Sequence, residues 1–157
     1  MHRYQYLFLL FTTLLLCGCG NSSRPKDLPS LFPCTVSVIQ DGKPLEEARV
    51  EFHTEGEQKY LPVAYTDASG IAVMQTHGFP GAPIGKYKIT VSKNIEDDVV
   101  YQTGEEGEQV VASSNVYKTI EDQHSSVATT PHVVEVGRKT PRIEVNVGNA
   151  VKKKLDR

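Results

Sequence analysis

His132 and Glu135 are the pair whose types and spacing most readily indicate chemistry, because they form a His-x-x-Glu pattern. An imidazole nitrogen and a carboxylate oxygen are both zinc ligands, and bound zinc can activate water for hydrolysis. The valines that follow His132, however, favour a β-strand over Val133 to Val136. Positions i and i+3 of a strand face opposite sides of its sheet, so we do not expect the two side chains to share a metal ion. We therefore predict no metal site and no cofactor.

The other candidate groups are isolated along the chain. His53, His77 and His124 fall in predicted turns and loops, where a single histidine is usually only a polar surface residue. Asp67 and Ser69 could offer oxygen ligands, but the run of alternating carboxylates that a calcium loop needs is missing. No Gly-rich phosphate loop and no Gly-x-Ser-x-Gly motif is present in the sequence. We predict that the chain is not an enzyme. The alternative is a hydrolase or metal-dependent enzyme that uses loop residues such as His77 or His124.

The N-terminal segment carries a different kind of chemistry, centred on Cys19. Arg3 precedes an apolar run from Tyr6 to Leu16, and Leu16-Cys17-Gly18-Cys19 closes that run. The four closing residues resemble a bacterial lipobox, the cleavage signal of secreted lipoproteins. This resemblance implies cleavage before Cys19, acylation of Cys19 and anchoring to a membrane of the cell envelope. A plain signal peptide and a membrane-spanning anchor are the alternatives, but the apolar run is shorter than the roughly 20 residues that cross a bilayer.

Cys34 has a structural interpretation instead. Cys17 leaves with the signal peptide and Cys19 is acylated in this scheme, so Cys34 has no partner for an internal disulfide. It alternates with Val36 and Val38, which places all three side chains on one face of a predicted strand. We expect a buried, unreactive thiol.

The charge balance excludes a nucleic-acid-binding function. Seventeen Lys and Arg residues stand against nineteen Asp and Glu residues, a net charge of −2 at pH 7. No basic groove is visible, and nucleic-acid binding depends on clustered positive charge. The three lysines at Lys152 to Lys154 form a basic tail, residues 149–157, which we expect to be solvated.

The elements that must position these residues follow from period-two alternation. From Cys34 onward, short alternating runs are separated by turns rich in Gly, Asp and Pro. About seven such runs, with no convincing amphipathic helix, predict an all-β fold: a single Ig-like antiparallel β-sandwich. Asp41 and Gly42, and later Asp67 and Gly70, are the predicted turn residues, because Asp accepts backbone N–H groups and Gly tolerates a positive φ.

The predicted domain organisation has four parts. Residues 1–18 are a lipoprotein signal peptide, and 19–33 are a lipidated, Pro-containing tether. Residues 34–148 form the sandwich, and 149–157 the basic tail.

An insertion within the sandwich, residues 94–131, interrupts the alternation. It contains only two possible short edge strands, Val99 to Thr103 and Val110 to Ala112. Its six acidic residues before Gln109 have no Lys or Arg among them. Long connections in compact domains are often functional or disordered, so Glu105, Glu106 and Glu108 are a candidate partner-binding loop. A solvated insertion without a partner is the alternative.

Three motifs in a fixed order carry a family resemblance. They are Asp41 to Val50, Thr66 to Gly70 and Pro83 to Val91. Together they resemble the carboxypeptidase regulatory-like domain, which implies a prealbumin-like (transthyretin-like) sandwich. With the lipobox they are similar to small lipoproteins of planctomycete-type bacteria. For that family no activity is implied. One transthyretin-like branch hydrolyses 5-hydroxyisourate, but it ends in Tyr-Arg-Gly-Ser, whereas this chain ends in Lys154-Leu155-Asp156-Arg157.

The expected function is therefore a non-catalytic, lipid-anchored module of the cell envelope with a binding or structural role. Its partners would be the membrane, through the N-terminal lipid, and an envelope protein or glycan. A carrier or chaperone for an exported ligand is a further alternative, and it predicts a deep apolar cavity instead of a packed core.

Overall fold

The computed structural model describes residues 24–57, 59–103, 108–140 and 142–155. Nearly all regular structure in these ranges is β, which confirms the predicted all-β sandwich. The described strands are β1 (Leu31–Phe32), β2 (Thr35–Gln40), β3 (Lys43–Pro44), β4 (Arg49–His53), β5 (Pro62–Tyr65), β6 (Ile71–Val73), β7 (Gln75–Thr76), β8 (Phe79–Pro80), β9 (Ala82–Pro83), β10 (Gly85–Ser92), β11 (Asn94–Thr103), β12 (Gln109–Lys118), β13 (Val133–Val136), β14 (Ile143–Asn146) and β15 (Lys153–Lys154). A single helical turn, α1 (Asp122–Ser125), accompanies them in the described ranges.

One layer of the sandwich is a six-stranded antiparallel sheet in the order β13-β10-β4-β5-β7-β8. Its central pair is β10 and β4, in which Ile89 lies opposite Phe52 and Val91 opposite Val50. Alternation drives this pairing, because these apolar side chains are buried on one face of the sheet. The sheet therefore presents a continuous apolar face to the second layer.

The second layer is built on β2. Strands β3 and β6 pair with successive parts of one edge of β2, and β14 pairs with the other edge. The β2–β14 pair is parallel, a pairing that hairpin-based reasoning does not predict. The turn from β2 to β3 consists of Asp41 and Gly42, with φ of 51° and 71°. Positive φ at both positions is what a two-residue hairpin turn requires.

The core lies between these two layers. Side chains from both sheets form one cluster, together with residues from the connections. The buried members are Cys34, Val36, Val38, Ala48, Val50, Phe52, Ala64, Ala72, Met74, Ala82, Tyr87, Ile89, Val91, Ile120, Val136, Val145 and Val147.

The insertion at residues 94–131 contributes two strands to a further sheet. Strands β11 and β12 form a long antiparallel hairpin, and β15 adds to the outer edge of β12. Each hairpin strand has ten residues, far more than the short edge strands expected from the sequence. The alternation is hidden in the sequence because a register shift near Asp97 and Val100 breaks its period.

None of the helical structure in the described ranges is long and apolar enough to cross a lipid bilayer.

Candidate functional site

The structure describes only some of the predicted site residues. Cys19, the predicted lipidation site, and the signal peptide lie outside the described residues, as do Glu105 and Glu106. Glu108 is described, is exposed and directly precedes β12. The predicted acidic loop thus falls between the ends of the two hairpin strands.

The second predicted turn is built around the carboxylate of Asp67. Its Oδ1 accepts the backbone N–H of Ser69 at 2.9 Å and that of Ile71 at 3.0 Å, and the Ser69 hydroxyl donates to it at 2.6 Å. These hydrogen bonds, first that of the Ser69 hydroxyl, lower the pKa of Asp67. Gly70 has a φ of +72°, and a Cβ there would lie 2.8 Å from the carbonyl oxygen of Val38. Both residues therefore have a structural role in the turn.

Asp41 also connects its turn to the C-terminal segment. Its carboxylate oxygens accept the backbone N–H of Ala150 at 3.2 and 3.3 Å, and its own N–H donates to the Gly148 carbonyl at 3.0 Å. The turn thus fixes the path of the chain after β14.

His132 does not pair with Glu135. Its ring Nε2 lies 3.0 Å from Nδ1 of His124, and the two rings stack with centroids 5.1 Å apart. Glu135 is exposed on β13. In the ranges that the structure describes, no group of three His, Cys, Asp or Glu side chains converges as a metal site would require.

The expectation that His124 is an isolated surface residue is wrong. Its side chain is 6% exposed on α1, and it meets His132 just before β13. Burial lowers the pKa of His124, against an opposing effect of Glu121. Burial, and then the neighbouring His124, lowers the pKa of His132. The lowered pKa values favour the neutral form of both imidazoles, and the contact between their ring nitrogens links α1 to the residue that precedes β13.

The remaining histidines are separate from this pair. His53, at the end of β4, places Nε2 2.9 Å from the hydroxyl of Thr90 and lines a shallow cleft of about 190 Å³ with Glu55, Lys86 and Lys88. His77 has a φ of 53° and contacts the ring of Tyr60 edge-on, with centroids 5.5 Å apart. His77 and His124, either of which the hydrolase alternative could use, thus have different neighbours, Tyr60 and His132.

Cys34 is buried, as predicted, and is 2% exposed in the core cluster. Burial raises its thiol pKa to about 11. The thiolate is the reactive form of cysteine, so this side chain is structural.

The hairpin of β11 and β12 offers the most distinctive surface. Tyr101 and Val111 lie opposite each other across the two strands, and both are exposed, as is the neighbouring Val100. Strand β11 is an edge strand, and over the described residues no further strand pairs with its outer side. Edge strands with exposed apolar side chains are typical sites for pairing with another chain.

The basic tail pairs with part of the opposite edge of the hairpin. Strand β15 lies beside Tyr117 and Lys118 of β12, while the side chains of Lys152 to Lys154 are exposed, as expected of a solvated tail. The Lys152 ammonium pairs with Asp97 of β11 and lies 4.5 Å from the ring centroid of Tyr117.

A second ion-pair group joins the tail to α1. Asp122 pairs with Lys118 and, at 2.8 Å, with Lys153. These pairs, first that with Lys118, lower the pKa of Asp122 to about 2. The sequence contained a signal for the contacts of Lys152 and Lys153 with the insertion, because residues 94–131 have an excess of acidic residues and the tail has an excess of basic ones.

Comparisons with known proteins add no family. No family model matches the chain, and no curated protein matches it. Among solved structures, a 9R-lipoxygenase from Cyanothece PCC8801 aligns over 82% of this chain and 18% of its own, at 14% identity and a TM-score of 0.31. The chain thus spans less than a fifth of that protein's length, and a likeness at this level carries no argument about fold or function.

Proposed function

We propose that this protein is a non-catalytic, lipid-anchored module of the cell envelope that binds a protein or glycan partner through the hairpin of β11 and β12. The observation that carries the binding role is the edge strand β11 with its exposed apolar residues Val100 and Tyr101. Exposed aromatic residues are enriched among the side chains that dominate interface energetics. The lipobox-like Leu16-Cys17-Gly18-Cys19 supports the anchor.

Two further features support this proposal, the first the absence of catalysis and the second the binding surface. The His-x-x-Glu pair is divided, because His132 contacts His124 instead of Glu135. The hairpin is held on the sandwich by the tail, which gives the exposed edge a fixed support. The resemblance to carboxypeptidase regulatory-like domains agrees with such a role.

The anchor is tested by mass spectrometry of the mature protein and of Cys19→Ala. We expect an acylated Cys19 at the N-terminus of the wild type, and an uncut or soluble precursor in the variant. An unmodified mature terminus at another residue would contradict the anchor.

The binding role is tested by photo-crosslinking from position 108 in intact cells, followed by identification of the captured component and titration with the purified protein. Tyr101→Ala should weaken binding at least about tenfold, the loss expected for an interface anchor. Tyr65→Ala is the matched control, because Tyr65 is 66% exposed on β5, compared with 60% for Tyr101. Equal affinity of both variants for the captured component would exclude the hairpin as the binding element.

A further inference from the structure

The segment predicted to be an extended tether, residues 19–33, is packed on the sandwich from Arg24 onward. Leu28 is buried, and its N–H donates to the Pro25 carbonyl at 3.1 Å in a tight turn. The Arg24 guanidinium donates to the Pro29 carbonyl at 2.7 Å and lies 5.8 Å from the ring centroid of Phe79. The beginning of the described chain is therefore fixed to the surface of the domain.

Polar and backbone contacts hold the same segment. Asp27 pairs with Lys59 and accepts the Tyr60 hydroxyl at 2.7 Å. Hydrogen bonds from these two groups, first Lys59, lower the Asp27 pKa to about 2. Strand β1 then pairs with β9. Four residues, 20–23, separate Cys19 from Arg24, and this stretch can reach at most about 18 Å at ~3.6 Å per residue.

The strand registers show which end of the sandwich holds this segment. Lys88 of β10 lies opposite His53, the last residue of β4, so β10 begins near the connection that carries Lys59 and Tyr60. Strand β10 ends at Ser92, opposite Arg49, and the hairpin begins after Lys93. The packed segment and the base of the hairpin therefore lie at opposite ends of β10, an eight-residue strand about 26 Å long at ~3.3 Å per residue.

We infer that the end of the sandwich carrying the packed segment faces the bilayer and that the hairpin base faces away from it. The inference rests on the proposed lipidation of Cys19. Residues 20–23 reach only a short distance, and the chain is fixed to the sandwich from Arg24 onward, so the domain is restricted to one orientation relative to the bilayer. A flexible fifteen-residue tether would allow many orientations. The partner of the near end is the lipid surface, and the hairpin base is held about one strand length further out.

Fluorescence quenching in vesicles tests this orientation. The full chain is produced in a bacterial host, purified, and reconstituted in vesicles of phosphatidylethanolamine and phosphatidylglycerol that carry a headgroup quencher. A dye is attached to Glu57→Cys at the near end, in the connection that carries Lys59, or to Lys43→Cys at the far end. Lys43 lies at the far end because it pairs with Gln40, whose side-chain amide donates to the Thr119 carbonyl just after the hairpin. Both positions are exposed, while Cys34 stays buried and unlabelled. We expect the dye at position 57 to be quenched at least about twofold more than that at position 43, because about one strand length separates them.

A variant that releases the segment at Arg24 to Pro29 from the sandwich is the decisive test. Asp27→Ala combined with Leu28→Ser removes the ion pair and the buried side chain and should bring the two quenching values together. Lys26→Ala, an exposed position in the same segment, should leave the difference unchanged.

The outcomes separate the two proposals. Lipidated protein with equal quenching at both positions would overturn this inference alone. An unlipidated Cys19, read by mass spectrometry of the same sample, would overturn the proposed anchor and with it the orientation.

Discussion

The sandwich body and the hairpin of β11 and β12 are stabilised by different interactions. The body is held by a cluster of buried apolar side chains contributed by both sheets. The hairpin region, residues 94–131, contributes to that cluster only Ile120 among its described residues. It is otherwise held by polar contacts: the hydrogen bond from the Thr130 hydroxyl to the Ile89 carbonyl, the contact between His124 and His132, backbone pairing with β15 and ion pairs at the surface. Salt screens exposed ion pairs but does not screen apolar burial, so the two regions should respond differently to added salt.

The largest expected effect comes from placing a charge in the body. Val145→Asp should lower the free energy of unfolding by about 3–5 kcal/mol, because the carboxylate would be buried without a partner. Val145 is 1% exposed on β14. The matched control is Val73→Asp in the same sheet, where the side chain is 57% exposed and a change within about 0.5 kcal/mol is expected. Equal losses in urea unfolding would show that the strand phase is wrong.

Ile120→Ala tests whether the hairpin region unfolds together with the body. Ile120 is fully buried, so the truncation should cost about 2–4 kcal/mol. Hydrogen exchange should show the hairpin amides losing more protection than those of β10. If the amides of the hairpin and those of β10 lose protection equally, the hairpin and the body form one cooperative unit.

The histidine pair predicts a smaller, pH-dependent effect. The pKa values of His124 and His132 are lowered in the folded protein. Near pH 6.5, the ordinary pKa of histidine, the unfolded chain therefore binds more protons than the folded protein. The contribution of the pair to the free energy of unfolding should therefore be fully present above pH 7, and it should decline as the pH falls through 6.5 towards the pKa values of the two histidines in the folded protein.

His132→Gln should reduce that decline between pH 7.5 and pH 5, measured by urea unfolding at both pH values. His77→Gln, at an exposed turn, is the control and should leave the decline unchanged. An identical pH dependence in both variants would show that the pair does not titrate as inferred. Asp27 and Asp122 have folded pKa values of about 2, and their contributions disappear only at lower pH, below their ordinary value of 3.8.

The smallest effect is expected at the tail. Lys152→Ala should cost at most about 1 kcal/mol, as is usual for exposed ion pairs, and the cost should shrink as salt is added. Lys139→Ala, an exposed lysine between β13 and β14, is the control. A cost that stays constant up to 1 M salt would indicate that the contact with Tyr117, not the pair with Asp97, dominates.

Local features were predictable from the sequence. The alternation of Cys34, Val36 and Val38 predicted their shared burial, and the Asp67 to Gly70 spacing predicted its turn. In each case the residues that decide the structure lie within a few positions of one another, where period and turn chemistry apply.

Non-local features were not predictable in the same way. His124 and His132 meet because α1 folds back on the start of β13, a geometry that no periodicity encodes. The tail pairing of Lys152 with Asp97 joins segments 55 positions apart. The opposite charges of the insertion and the tail are visible in the sequence, but charge alone does not specify which residues of two strands pair.

The parallel pairing of β14 with β2 affects the order in which the molecule can assemble. Ile143 lies opposite Val36, so the strand that completes the second layer is made about a hundred residues after the strand it joins. Contacts between such distant segments carry a high loop-closure cost and slow folding. A chain emerging N-terminus first exposes Cys19 long before β14 is available. Chemistry at the N-terminus can therefore precede closure of the second sheet.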